Sequence, residues 1–286
     1  MDLNKVKSEL AGVEKGYTDF IKSYFENWEV WGNASERVYQ GEDVSESEIP
    51  KAFHTEMKMM KMILKMEAAG EFDWNNPGVR KMFSEFSQSP FYTYFGDTVV
   101  EIAFRLAKLI GAGSMIEIGA GSGNLTRKMV NLMKKNDNFY PLLLTDNKPI
   151  VLEQPENIMK ESGFENIKSV IWDISNKPSQ DIKSFLKSPV VCYERYTVTY
   201  TSPAVIRNIA EVADILVMGD WLCNTDQVFG YDKVFSKIGA KRILFSDVKK
   251  ELDKFYSHYY FFDKAAQDAI KSPYTGLMIA IKDDRR

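Results

Sequence analysis

The stretch Met115-Ile116-Glu117-Ile118-Gly119-Ala120-Gly121-Ser122-Gly123-Asn124-Leu125-Thr126 holds the residues best placed for chemistry. Apolar residues run into an acid, three glycines follow at alternate positions, and a helical pattern opens after them. Glycines there permit a sharp turn and leave bare backbone against which a ligand can lie. The place is the carboxyl end of an expected strand, where open α/β sheets bind ligands. A dinucleotide fingerprint, G-x-G-x-x-G, fails: the sixth position is Asn124 counted from Gly119 and Thr126 counted from Gly121. Two further expected strands end in an acid. Asp146 closes Leu142-Leu143-Leu144-Thr145-Asp146, 29 residues after Glu117, and Asp173 lies in Val170-Ile171-Trp172-Asp173-Ile174, 27 residues later. A strand-end carboxylate can accept hydrogen bonds from both hydroxyls of a ribose. A turn or helix-cap role is the plain alternative for both. The fourth expected strand ends in Tyr193-Glu194-Arg195-Tyr196.

Together, Glu117-x-Gly119-x-Gly121-x-Gly123 and the strand-end acids resemble the motifs of class I S-adenosylmethionine-dependent methyltransferases of the small-molecule type. The resemblance implies S-adenosyl-L-methionine as cofactor. It assigns cofactor contacts to Glu117, Gly119, Gly121, Gly123, Asp146, Asn147, Asp173 and Ile174, with Asp146 on the ribose, Asp173 facing the adenine amino group and Ile174 packing the ring. It sets Glu194 beside both the sulfonium and the acceptor, as a cation stabiliser or a base; an ion pair at the sheet edge is the other reading. Tyr196 offers a π face to the sulfonium, with core packing as its alternative. The motifs occupy residues 115–195 and the matching architecture residues 85–286; residues 1–80 match no motif of the family. The Asn/Asp-Pro-Pro-aromatic motif of exocyclic-amine methylases is missing after the fourth strand.

Outside the motifs, His258 lies in the aromatic run Phe255-Tyr256-Ser257-His258-Tyr259-Tyr260-Phe261-Phe262. Such a run between the last two strands can wall an acceptor pocket, and a histidine there can serve as general base; a hydrogen-bonded structural role is the alternative. Tyr94, in the aromatic segment Ser87–Asp97, is a candidate lid contact to cofactor. Methyl transfer from an activated sulfonium relies mainly on positioning, so the sequence need not display a universal catalytic residue. Two histidines and two cysteines without paired spacing give no metal site. The cluster Met57, Met59, Met60, Met62 and Met66 reads as adaptable core packing.

The elements that must position these residues divide the chain in two. Residues 1–96 read as a helical lid or extension, with helices over 3–31, from 46 to before Gly70, and after Asn76-Pro77; a fourth helix spans 97–110. Residues 97–286 alternate strands and helices. Strands are expected at 114–119, 141–146, 169–173, 189–193, 215–219, 242–247 and 275–282. The fold class is therefore α/β: a seven-stranded, mostly parallel, Rossmann-like sheet with helices on both faces and an N-terminal helical extension. The resemblance implies that the last strand is antiparallel and inserted beside its predecessor.

Composition bounds the partners. The formal charge of −3, from 37 basic and 40 acidic residues, disfavours nucleic acid. No run of 18 apolar residues occurs, so no membrane span is expected, and the N-terminus lacks the pattern of a signal peptide. Two isolated cysteines suit a reducing, cytoplasmic setting. The expected partner is a small-molecule acceptor, free or tethered to a carrier protein, in a biosynthetic pathway. The N-terminal helices offer a lid, a docking surface or a homodimer interface. A non-catalytic cofactor-binding module on the same fold is the alternative function.

Overall fold

The architecture comes from a computed structural model that describes residues 2–73, 75–223, 228–262 and 276–282. Five parallel strands carry the centre: β1 (Ser114–Ile118), β2 (Leu142–Asp146), β3 (Ile167–Ile171), β4 (Val190–Arg195) and β5 (Ile215–Asp220). The two-residue strands β6 (Leu222–Cys223) and β7 (Ile243–Leu244) pair only with each other. β8 (His258–Phe261) and β9 (Gly276–Ile281) complete the main sheet, whose order is β3-β2-β1-β4-β5-β9-β8. β9 runs antiparallel to both neighbours and is inserted between β5 and β8, as expected.

Alternation along these strands feeds two cores. Met115, Leu142, Leu144, Val191, Tyr193 and Val217 face one side; Ile116, Leu143, Cys192, Leu216 and Met218 face the other. The first side is covered by α1 (Leu3–Tyr24), α2 (Trp28–Tyr39), α3 (His54–Ala68), α4 (Pro77–Phe86), α5 (Pro90–Ile110), α6 (Asn124–Asn136), α7 (Pro149–Ser162) and α10 (Gly230–Ser236). The second side takes α8 (Gln180–Phe185), α9 (Ile206–Ala210) and α11 (Phe245–Phe255). The N-terminal helices therefore share a core with the sheet. α1 lays Val6, Leu10, Tyr17 and Ile21, all fully buried, into that core, and it packs on α5. Each such side chain contributes roughly 1.5–3 kcal/mol by leaving water.

Four expected element bounds are corrected. The sixth strand of the sheet is His258–Phe261, not 242–247. Phe245, Val248, Leu252 and Phe255 recur at helical spacing, and burying Val248 and Leu252 turns that stretch into α11. The expected first helix, 3–31, breaks at Phe25–Asn27, which turns Phe25, Trp28 and Trp31 toward one cavity. The fourth helix starts at Pro90 rather than residue 97, with Pro90 in its first turn where a missing N–H is harmless. The expected division at 96/97 thus falls inside α5. Strand β3 ends two residues earlier than expected, so Asp173 stands on the loop beyond it. Among the described residues, no helix is long and apolar enough to cross a membrane.

Candidate active site

Parallel register brings the strand ends into one row. Ile118 lies opposite both Thr145 and Glu194, and Arg195 lies opposite Gly219. Above this row a cavity of about 1040 Å³ opens, roofed by the N-terminal helices. Its walls have two characters. One end is built from Gly119, Gly121, Asp146, Asn147, Asp173 and Ile174. The other end is aromatic, with Tyr24, Phe25, Trp28, Trp31, Phe53 and Tyr231 among its lining.

At the first end the loop after β1 turns through left-handed backbone, with φ +67° at Gly119 and φ +54° at Gly121. The two glycines answer different demands. A Cβ on Gly119 would collide with the Thr197 hydroxyl, whereas a Cβ on Gly121 would meet nothing nearer than the Gly119 carbonyl oxygen at 3.7 Å. Gly119 is needed by the protein's own packing; Gly121 keeps cavity space clear. Gly123 is not on the wall: it caps α6, and a Cβ there would lie 2.6 Å from Ile158 Cδ1.

Asp146 ties the second strand end to this loop. Its Oδ2 accepts from the Gly121 N–H at 3.1 Å and its Oδ1 from the Lys148 N–H at 3.2 Å. Burial raises its carboxyl above the usual range, and the backbone donors oppose the rise. Asp173 is exposed at the cavity edge, where it accepts from the Ser175 N–H at 2.9 Å and the Asn176 amide at 3.1 Å. Ile174 beside it is buried, an apolar floor next to an acceptor.

Several expected site residues stand elsewhere. Glu117 is fully buried beneath the loop, off the cavity wall. Its Oε2 accepts from Thr126 Oγ1 at 2.9 Å and from the Tyr193 hydroxyl at 3.0 Å. Burial pushes its carboxyl up to about 7 against those two bonds. It therefore joins β1, β4 and α6 under the glycine loop. Glu194 is also off the wall: its Oε2 accepts from the Thr197 N–H at 2.8 Å and its Oε1 is buried without a hydrogen-bond partner. Burial first, and then the charge of Asp220, hold that carboxyl well above its ordinary value. Tyr94 does not reach the cavity; its ring stacks on Phe20 at 4.1 Å, inside the α1–α5 contact. His258 sits exposed on the outermost strand, away from the cavity, so the aromatic run around it forms a sheet edge rather than a pocket wall.

Tyr196 does line the cavity. It adopts φ +59°, unusual for a residue with a Cβ, and its N–H donates to the Gly219 carbonyl at 2.8 Å. Such a conformation costs roughly 1–2 kcal/mol and persists where surroundings enforce it, commonly at functional sites. Its ring packs 5.1 Å from Tyr92.

Three wall residues escaped the sequence reading. Asp220, ending β5, accepts from the Thr199 N–H and hydroxyl and from the Trp221 N–H at 2.7 Å; burial raises it to about 6. It repeats the signal of an acid at a strand end, one residue past the expected strand. Arg195 is half-buried, and its Nη1 donates to the Tyr92 carbonyl at 2.7 Å. Glu56, in the first turn of α3, is buried at the aromatic end. Its signal was a charge on the apolar stripe of Phe53, Met57, Met60 and Ile63.

No family model matches the chain, and no curated protein matches it. Solved structures do. The carbon-methyltransferase domain of the citrinin polyketide synthase is 16% identical over 79% of this chain and 65% of its own, with TM-score 0.64. The carbon methyltransferase DszA is 11% identical over 81% and 67%, with TM-score 0.63. The plantazolicin methyltransferase BpumL, solved with a triazolic desmethylPZN analogue and S-adenosylhomocysteine, is 11% identical over 79% and 99%, with TM-score 0.51. The chain thus spans about two thirds of the length of the first two. At these identities the likeness is one of fold, and the inserted antiparallel β9 and the strand-end cavity agree with it: this chain has the class I methyltransferase fold.

Proposed function

We propose that the chain is an S-adenosylmethionine-dependent methyltransferase acting on a small-molecule or carrier-tethered acceptor in a biosynthetic pathway. The observation that carries this reading is a single cavity joining a glycine loop with paired acids at one end to an aromatic chamber at the other. The first end fits the cofactor: Gly121 offers bare backbone, Asp146 two carboxylate oxygens for ribose hydroxyls, and Asp173 with Ile174 an acceptor beside an apolar shelf. Bound there, the cofactor supplies a methyl group already activated on a sulfonium. The chain's own part is to orient the acceptor and exclude water. Residues 1–96 furnish the roof of the acceptor end. Carbon acceptors on a tethered acyl chain are one form of the reading, supported by the polyketide-type neighbours.

Isothermal calorimetry with S-adenosylmethionine and S-adenosylhomocysteine tests it. One-to-one binding is expected; no heat at millimolar ligand would sink the proposal. Asp146→Ala should weaken binding by about 1–3 kcal/mol, the range for a lost buried polar contact. Unchanged affinity in that variant would remove Asp146 from the ribose.

A further inference from the structure

The aromatic end of the cavity carries a buried acid, Glu56. Glu56 Oε1 accepts from the Tyr24 hydroxyl at 2.8 Å, while Oε2 is buried without a hydrogen-bond partner. The residue is 4% exposed, yet it lines the cavity. A carboxyl oxygen desolvated in this way is expensive to leave unmatched, so its environment points to a ligand that supplies the missing donor.

Charge narrows the class. Tyr24, Phe53, Trp31 and Phe91 line the same chamber, their rings packed on one another. Ring faces carry negative potential, which attracts cations and repels anions. A carboxylate among them acts in the same sense, and its place in the first turn of α3 suits the charged form once a partner is present. Of the cations that line the cavity, half-buried Arg195 is held by the Tyr92 carbonyl and lies against Gly96, and Arg80 donates to the Asn75 carbonyl. Beside the Glu56 carboxyl an anionic or phosphorylated head is thus disfavoured.

We infer that the chamber takes an aryl-alkyl amine as its ammonium ion, the ring among the aromatic walls and the nitrogen on Glu56, with Tyr24 positioning the carboxylate. This rests on the methyltransferase reading only for the fate of the amine. For that fate, Glu56 has a second task. An N–H bond of the ammonium breaks, its electron pair stays on nitrogen as the nucleophilic lone pair, and the proton passes to the carboxylate. Burial holds the Glu56 carboxyl up at about 7, so it accepts a proton more readily than an ordinary glutamate.

Calorimetry with three probes of equal shape tests the inference: 2-phenylethylamine, 2-phenylethanol and phenylacetate, each with and without saturating S-adenosylhomocysteine. The amine should bind at least tenfold more tightly than the alcohol, with phenylacetate weakest. Glu56→Gln should bring amine and alcohol within about twofold while the S-adenosylhomocysteine affinity stays at its wild-type value, which also certifies the fold. Tyr24→Phe should weaken the amine severalfold and keep the order. Equal binding of amine and alcohol, a preference that survives Glu56→Gln, or no binding of any probe would overturn the assignment. Amine selectivity without S-adenosylhomocysteine binding would leave the assignment standing and sink the methyltransferase reading instead.

Discussion

In Gly121→Val, S-adenosylmethionine binding should fall by at least a hundredfold while the protein stays folded. The backbone at this position is left-handed, so a β-branched residue costs roughly 1–2 kcal/mol in conformation alone. For a chain of this size that lowers the melting temperature by only a few degrees. The larger effect is steric. A Cβ here meets no protein atom closer than 3.7 Å, so the valine methyls enter the cavity beside Asp146. Gly119→Ala is the counterpart: its Cβ collides with Thr197, and its main loss should appear in thermal unfolding. Calorimetry and melting curves on both variants separate the roles. Wild-type affinity in Gly121→Val would show that the loop does not border the cofactor.

The second large effect concerns acidity. Glu56 and Glu117 are held near 7 and Asp220 near 6, each by burial, against ordinary values of 4.5 and 3.8. The folded protein therefore keeps protons that the unfolded chain has released between those values. Stability falls with rising pH wherever the native state binds more protons. The contribution is complete below about pH 4 and is lost as pH climbs through 6 and 7. For a shift of about 2.5 units this amounts to about 3 kcal/mol per glutamate. Exposed Glu48, lowered to about 2 by the Ser45 backbone and Arg37, acts in the opposite sense and only below pH 4.5. Melting temperature should accordingly decline from pH 5 to pH 8. Glu117→Gln keeps an oxygen for Thr126 and Tyr193 and has no charge to bury, so its curve should be flatter and lie above wild type at pH 8. A level or rising wild-type profile, or an unchanged slope in Glu117→Gln, would refute this account.

The glycine-loop end of the cavity was legible in sequence because it is local. The loop 119–123 and Asp146 need only a strand followed by a turn, and Asp146 and Gly121 meet through the β1–β2 register that apolar patterning already implies. The aromatic end was not legible because it is assembled from α1, α2, α3, α5 and α10, whose mutual placement no short-range pattern encodes. Glu117 and Glu194 looked like ligand contacts by position. Whether a strand-end side chain reaches the cavity or turns beneath it depends on one step of the pleat, and both turn beneath. His258 was assigned to the wrong element: the period of Phe245–Phe255 is helical, which pushes the next strand twelve residues or more along and carries the histidine to the sheet edge.

Helix α5 has a bearing on how relatives of this molecule can be recombined. Its middle packs on the sheet, with Phe95 and Val99 against Gly219, while its first turn carries Phe91 and Tyr92 into the roof and holds Arg195 by a main-chain carbonyl. A chimera spliced at residue 96 would cut a continuous helix and part the roof from the floor it rests on. The natural seam is the Ser87–Ser89 turn before Pro90. On the proposed function, exchanging everything upstream of that turn would bring in a different acceptor chamber, provided the new helices keep the faces that pack on α5.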